Sequence, residues 1–146
     1  MSDFMKLRVW RKAHALTLNT HRVATSIRGP HYAPLRSQMI RAAMSVSANI
    51  VEGREQKSER DFARFLGYAL ASSSELEHHL IVARDLRAIS DADFSSTTSQ
   101  LIDVRKMLHG LLAKLSPAKA PSSTQPVPSP LADSAKRQAG SGRQRS

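Results

Sequence analysis

Apolar residues recur along this chain at alternating steps of three and four, and this spacing places them on one face of an α-helix. Four such stretches follow one another, and none alternates in the manner of a β-strand. Ser58 and Ser90 each precede an acidic residue by three positions, a pattern typical of helix N-caps. The predicted helices cover about residues 4–28, 34–56, 58–88 and 90–115.

Each predicted helix has a row of residues that should face a common core. Four amphipathic helices joined by short connections pack most simply as an antiparallel up-down-up-down four-helix bundle, so the predicted fold class is all-α. The rows are Val9, Ala13, Leu16, Thr20, Val23 and Ile27; Leu35, Met39, Ala42, Val46, Asn49 and Gly53; Phe62, Leu66, Ala69, Ser73, Leu76, Leu80 and Ala83; and Phe94, Thr97, Leu101, Val104, Leu108, Leu111 and Leu115.

The second helix is apolar around most of its circumference. A second row, formed by Ile40, Met44, Ser47 and Val51, runs beside its core row, which leaves only a narrow polar strip. A helix of this kind is normally buried on most sides. We therefore predict that it is the central helix of the bundle, and that it is covered by more than its own chain supplies.

Four polar side chains on the second and third helices are interpreted as structural. Arg41 and Glu52 share the narrow strip but lie about 16 Å apart along a helix, so they cannot pair with each other. If Arg41 is buried, its partner must come from another helix, and Glu75 is the candidate. Asn49, on the core row, would need an internal hydrogen-bond partner.

The charge of the chain favours contact with polyanions, chiefly nucleic acid. Its 146 residues carry a net charge of +10. Residues 1–115 form the predicted bundle, whereas residues 116–146 are rich in Pro and Ser and should be a disordered basic tail. The tail contributes +4 of the charge, which leaves +6 on the bundle. No apolar run approaches the ~20 residues of a membrane span, and the chain contains no cysteine, so we expect a cytoplasmic protein.

Candidate catalytic chemistry is sparse. A carboxylate-bridged metal pair in a four-helix bundle needs two Glu-x-x-His motifs and two further carboxylates. The chain has one such motif, Glu75 to His78, with Glu52 and Glu77 as spare carboxylates. No serine lies in a nucleophile elbow and no glycine-rich loop could hold a phosphate. We therefore predict a non-enzymatic protein without metal or cofactor, and keep a di-metal oxidase as the weaker alternative.

Basic residues cluster in two places, at the start of the first helix and between the second and third helices. Cations that neutralise phosphates give a salt-sensitive and largely sequence-independent affinity. Because aromatic residues are few, recognition of backbone and shape, as in structured RNA, fits better than base stacking. The alternative is that these are solvated faces, balanced in the second cluster by Glu55, Glu59 and Asp61. The clusters are Lys6, Arg8, Arg11 and Lys12, and Arg54, Lys57, Arg60 and Arg64.

Six motifs between residues 4 and 115 carry a resemblance to a known family. The chain resembles the bacterial four-helix bundle family first described from open reading frames in 23S rRNA intervening sequences. That family includes the accessory variability determinant of diversity-generating retroelements. The motifs are L-x-V-W-x-K-A at 7–13, Q-x-x-R-A-A-x-S-V at 38–46, N-I-V-E-G at 49–53, K-S-x-x-D-F-x-x-F-L at 57–66, A-L-A-S-S-x-E-L-E at 69–77 and A-R-D-L at 83–86.

The resemblance implies a non-catalytic protein. Retroelement members of the family are homopentamers with basic surfaces that bind nucleic acid, RNA or DNA, and the element's reverse transcriptase during mutagenic retrohoming. The leading hypothesis is therefore an oligomeric nucleic-acid-binding accessory protein that partners a reverse transcriptase. The alternative is a bundle with a structural or protein-docking role and no nucleic-acid activity.

Overall fold

The computed structural model describes residues 3–115, and within that range the only regular structure is helical. The all-α prediction is therefore confirmed. Short 3₁₀-helices at Asp3–Lys6 and Pro30–Tyr32 precede the first and second α-helices. The predicted tail, residues 116–146, lies outside the described residues. The α-helices are α1 (Arg8–Ser26), α2 (Ala33–Arg54), α3 (Glu59–Asp85) and α4 (Asp91–Leu115).

The helices form an antiparallel up-down-up-down bundle, as the sequence predicts. Each helix packs against the next, and α4 closes the ring against α1. One end of the bundle, here called the α2–α3 end, therefore holds the start of α1, the connection between α2 and α3, and the end of α4. The α1–α2 and α3–α4 connections lie at the opposite end. No helix among the described residues is long and apolar enough to cross a membrane.

Local hydrogen bonds explain where α3 begins and ends. The Ser58 hydroxyl accepts a hydrogen bond from the Asp61 backbone N–H at 3.1 Å, so the predicted N-cap is confirmed. The helix ends at Asp85, three residues before the predicted Ala88. There Arg87 adopts a φ of 57°, and Ala88 N–H donates to the Ala83 carbonyl at 2.9 Å. This is a Schellman motif, in which the left-handed residue reverses the chain and ends the helix.

The core rows predicted for α1 and α3 are buried throughout. In α4, Thr97, Leu101, Val104 and Leu108 are buried, whereas Phe94 and the two leucines near the end are half-buried. In α2, four residues of the predicted row, Met39, Ala42, Val46 and Gly53, are buried, Leu35 is half-buried, and Asn49 is the exception.

The prediction that Asn49 lies in the core is wrong, because the neighbouring Ile50 is fully buried and takes that place. Asn49 is half-buried, and its side-chain amide donates to the Ser45 carbonyl at 2.8 Å within its own helix. An amide on the core row would need a partner from another helix, whereas isoleucine needs none. The hydrophobic alternative therefore takes the inward position.

Helices α2 and α3 make the most extensive contact in the bundle because small residues line their interface. The Ser72 hydroxyl donates to the Ser45 hydroxyl at 2.9 Å. Near the α2–α3 end, a Cβ added at Gly53 would lie 2.9 Å from Phe62 Cδ2 and 3.0 Å from Phe65 Cβ. Gly53 therefore marks a close contact between helices, where a residue without a side chain is needed.

The outer side of the bundle carries exposed apolar side chains on α1 and α2. Met44 is 54% exposed and Leu18 is 59% exposed. Ile40 and Val51, from the same row as Met44, are half-buried. Within residues 3–115 the chain therefore leaves part of the second apolar row of α2 uncovered. We call these four side chains, Leu18, Ile40, Met44 and Val51, the α1–α2 seam.

Candidate nucleic-acid interface

The topology places both predicted basic clusters at the α2–α3 end. Lys6, Arg8, Arg11 and Lys12 lie at the start of α1, and the second cluster follows the end of α2. The second cluster consists of Arg54, Lys57, Arg60 and Arg64. All eight side chains are exposed. Because the two clusters are more than 40 residues apart in sequence, only the antiparallel packing of the helices brings them to one end.

The second cluster is partly neutralised by its own neighbours. Arg64 forms an ion pair with Asp61 at 3.5 Å, and its guanidinium lies 5.2 Å from the centre of the Phe65 ring. Asp61 therefore balances one cation, as the alternative interpretation expects. In the described part of the chain, neither Lys57 nor Arg60 forms an ion pair.

Among residues 3–115, the four cations of the first cluster, Lys6, Arg8, Arg11 and Lys12, form no ion pair. A polyanion that approached them would not have to displace an existing carboxylate, so more of the attraction would appear as binding free energy.

Two lysines of α4 that belong to neither predicted cluster, Lys106 and Lys114, extend this basic surface. Arg8 and Lys12 share a hollow of about 270 Å³ with Asp103, Lys106 and Met107 of α4. Arg8 and Lys114 are among the residues that line a neighbouring hollow of about 320 Å³. We call the two hollows together the α1–α4 groove; its residues are Leu7, Arg8, Val9, Lys12, Asp103, Lys106, Met107, Gly110, Leu111 and Lys114.

The sequence indicates that these two lysines lie on one side of α4, but it does not indicate that this side faces α1. Lys106 and Lys114 are eight residues apart, which places them near the same side of one helix. Their relation to Arg8 depends on the packing of α1 against α4, which the spacing within either helix does not specify.

Arg105, next to Lys106, has a different role. Its guanidinium donates to the Ser73 hydroxyl at 3.0 Å, to the Ser74 hydroxyl at 2.7 Å and to the Glu77 carboxylate. These bonds tie α4 to α3. Arg105 is therefore a structural cation, and it was not among the residues predicted to have that role.

The predicted structural residues Arg41, Glu52 and Glu75 are all exposed. Arg41 and Glu75 line the same small hollow of about 90 Å³, yet among the described residues Arg41 forms no ion pair. The interhelical pair considered for Arg41 is thus absent from this structure. The Glu52 carbonyl accepts a hydrogen bond from the side-chain amide of Gln56 at 3.0 Å.

The carboxylates of the di-metal alternative have other neighbours. Glu75 lies 3.6 Å from His79 Nε2, one residue beyond the His78 of the motif, and Glu77 is bound by Arg105. No group of three or more His, Asp or Glu side chains within residues 3–115 is arranged to hold a metal ion. The structure therefore lends no support to the di-metal alternative.

Comparison with known proteins connects this fold to a family. The model of the family described as 23S rRNA-intervening sequence protein matches residues 5–110, which cover all four helices almost to the end of α4. The chain belongs to the 23S rRNA-intervening sequence protein family.

The structure of a second protein shares the fold of this family member. It is a crystal structure of a protein of unknown function from the S23 ribosomal protein family of Bacteroides thetaiotaomicron. The two chains are 21% identical with a TM-score of 0.67, over 71% of this chain and 97% of the other. At this identity the likeness shows the fold alone. Among curated proteins, none is significantly similar to this chain.

Proposed function

We propose that this member of the 23S rRNA-intervening sequence protein family is a non-enzymatic, oligomeric accessory protein that binds nucleic acid in the cytoplasm. The observation that carries the proposal is the convergence of two basic clusters on the α2–α3 end. Arg11, Lys57 and Arg60 are exposed there and lack ion pairs among the described residues. They are suitable for contacts with phosphates, which give affinity without base recognition. Structured RNA is the favoured ligand, because its backbone and shape can be recognised without stacking aromatics.

The partner proteins proposed here rest on the motif resemblance described above. That resemblance supports a reverse transcriptase of a diversity-generating retroelement as the partner, and a homopentamer as the assembly. The exposed α1–α2 seam supports self-association, because a second copy would cover Leu18 and Met44. A neighbouring reverse-transcriptase gene with paired template and variable repeats would support the retroelement role, and its absence would count against it.

Nucleic-acid binding is tested by fluorescence anisotropy of a labelled RNA hairpin titrated with the full chain at several salt concentrations. If about four phosphates are neutralised, the affinity should fall roughly 100-fold between 50 and 200 mM salt. Arg11→Glu, Lys57→Glu and Arg60→Glu should each weaken binding and reduce the salt dependence. Arg28→Glu is the matched control, because Arg28 is exposed near the opposite end of the bundle. Equal effects of Arg28→Glu and Arg60→Glu would remove the α2–α3 end from the proposal.

Self-association is tested by light-scattering mass. Leu18→Glu combined with Met44→Glu should lower the mass, whereas Leu86→Glu should not, although Leu86 is similarly exposed at 53%. An oligomer with no salt-dependent RNA affinity would favour the second candidate function, a structural or protein-docking bundle. The observation in favour of that candidate is that Glu55 and Glu59 are exposed at the same end as the cations.

A further inference from the structure

The α1–α4 groove combines an apolar floor with a basic rim. Leu7, Met107 and Leu111 are half-buried on its floor, and they pack against the core on their inner side. Gly110 adds no side chain, and a Cβ there would meet no atom within 4 Å. The floor is thus open to an incoming apolar side chain, whose burial would contribute about 25 cal/mol per Å² of apolar surface removed from water.

The rim of the groove selects for negative charge. Arg8 and Lys12 border it from α1, whereas Lys106 and Lys114 border it from α4. Asp103 is the one acidic residue that lines it. Complementary charges across an interface favour matched partners and disfavour partners of like charge. The rim therefore favours an acidic segment.

A nucleic acid satisfies only half of this description. Phosphates would meet the cations of the rim, but the sugar–phosphate backbone would cover Leu7, Met107 and Leu111 without apolar contacts. A protein segment with both apolar and acidic side chains satisfies the floor and the rim together. Lys106 and Lys114 are eight positions apart, about 12 Å or two turns of a helix, the length over which a docked helix presents apolar residues at positions i, i+4 and i+7.

The tail of the chain itself is a poor occupant. Residues 116–146 begin where α4 ends, next to Lys114, so they are close enough in sequence to reach the groove. Their composition, however, carries five cations and one anion. The tail would bring positive charge to a positive rim, which is unfavourable.

We infer that the α1–α4 groove is a docking site for an acidic, amphipathic helical segment of another protein. This surface is distinct from Arg11, Lys57 and Arg60, which do not line the groove. The inference goes beyond nucleic-acid binding and stands even if the chain binds no RNA.

The test begins with random peptides of about 16 residues, about 24 Å as a helix, displayed on phage and selected on the immobilised full chain. The enriched peptides are then synthesised, and their affinities are measured by fluorescence polarisation. The blocking variant is Gly110→Gln, whose side chain would extend into the groove. Gly67→Gln is its matched control, because Gly67 is also a helical glycine with no atom within 4 Å of an added Cβ. Both changes favour the helix, so loss of binding cannot be ascribed to unfolding.

The expected result is enrichment of peptides that combine acidic residues with apolar residues at helical spacing. Gly110→Gln should weaken their binding at least ~10-fold, and Lys106→Glu with Lys114→Glu should do the same. Gly67→Gln should bind like the unmodified chain. A synthetic peptide of residues 116–146 should not compete.

Four outcomes would overturn the inference. Enriched peptides that bind Gly110→Gln as tightly as the unmodified chain would show that the groove is not their site, and failure to enrich any peptide would show that it is not a docking site. Loss of RNA binding in Gly110→Gln without any peptide affinity would identify a nucleic-acid site instead. A lowered light-scattering mass of Gly110→Gln would identify a contact between copies. If Arg60→Glu loses RNA binding but still binds the peptides, the result concerns the proposed nucleic-acid function and leaves the groove's role as a docking site unchanged.

Discussion

Alanine substitution at two glycines should have opposite effects on stability, although both lie in helices. Gly67 is exposed on α3, and a Cβ there meets no atom within 4 Å. Gly53 is buried between α2 and α3. At Gly67 the substitution changes helix propensity alone, whereas at Gly53 it also inserts a methyl group into a close contact.

The magnitudes follow from the two environments. Replacing glycine by alanine inside a helix stabilises it by up to about 1 kcal/mol. Gly67→Ala should therefore raise the free energy of unfolding by roughly 0.5–1 kcal/mol. At Gly53 the added Cβ would lie 3.0 Å from Phe65 Cβ, which is attached directly to the α3 backbone and cannot rotate away. Helices α2 and α3 would have to move apart, at an overpacking cost of about 1–3 kcal/mol.

The gain in propensity at Gly53 is small because it lies one residue before the end of α2. Gly53→Ala should therefore lower the free energy of unfolding by roughly 1–2 kcal/mol. Urea denaturation followed by circular dichroism measures both variants, at one protein concentration because self-association would make stability concentration-dependent. Their melting temperatures should differ by roughly 8 °C. If Gly53→Ala stabilises the chain as much as Gly67→Ala does, the close approach of α2 and α3 does not constrain the residue at position 53.

Three further predictions concern the helix ends and the α3–α4 contact. Arg87→Gly should raise the free energy of unfolding by about 1 kcal/mol, because glycine adopts a positive φ without strain. Arg84→Gly, a glycine substitution within the helix, should instead lower the free energy of unfolding in the same denaturation assay. Ser58→Ala and Ser90→Ala should each lower the free energy of unfolding by about 1 kcal/mol, because each removes an N-cap. Asparagine at either position should restore most of the lost stability, because its side chain can also cap the helix. Arg105→Met should lower the free energy of unfolding by about 1–2 kcal/mol, because it leaves the partners of Arg105 on α3 unpaired. Lys106→Met, the control, should leave it nearly unchanged. Equal losses in the two variants would show that the hydrogen bonds of Arg105 add little to stability.

The core of α1 and α3 could be predicted from the sequence because each helix has a single apolar row. In α2, the spacing of the predicted core row is met equally well when Ala43 and Ile50 stand in place of Ala42 and Asn49. Both alanines are buried, so the choice depends on which of the remaining two side chains faces the core. Burial of an unpartnered amide is costly, and this cost decides in favour of Ile50.

The candidate interface could be predicted only in part. Clusters within one helix or one connection, such as Lys57 and Arg60, are visible in the sequence because they are local. The position of Lys106 beside Lys12, and the bonds of Arg105 to α3, depend on the rotation of α4 about its axis. That rotation follows from packing between helices, and no spacing within α4 reveals which of its cations are paired.

The start of α1 shows why charge alone cannot assign a function to a basic cluster. Within one turn, Arg8 and Lys12 line the groove, Arg11 does not, and Val9 is buried. Each residue is rotated by about 100° from the one before it, so adjacent cations face different surroundings. Reversing the charge of Arg8 would therefore disturb both RNA binding and peptide docking, and its result could not separate the two proposals. Arg11→Glu and Gly110→Gln each change one surface, so the pair can assign the positive charge of this end to nucleic acid, to a protein partner, or to both.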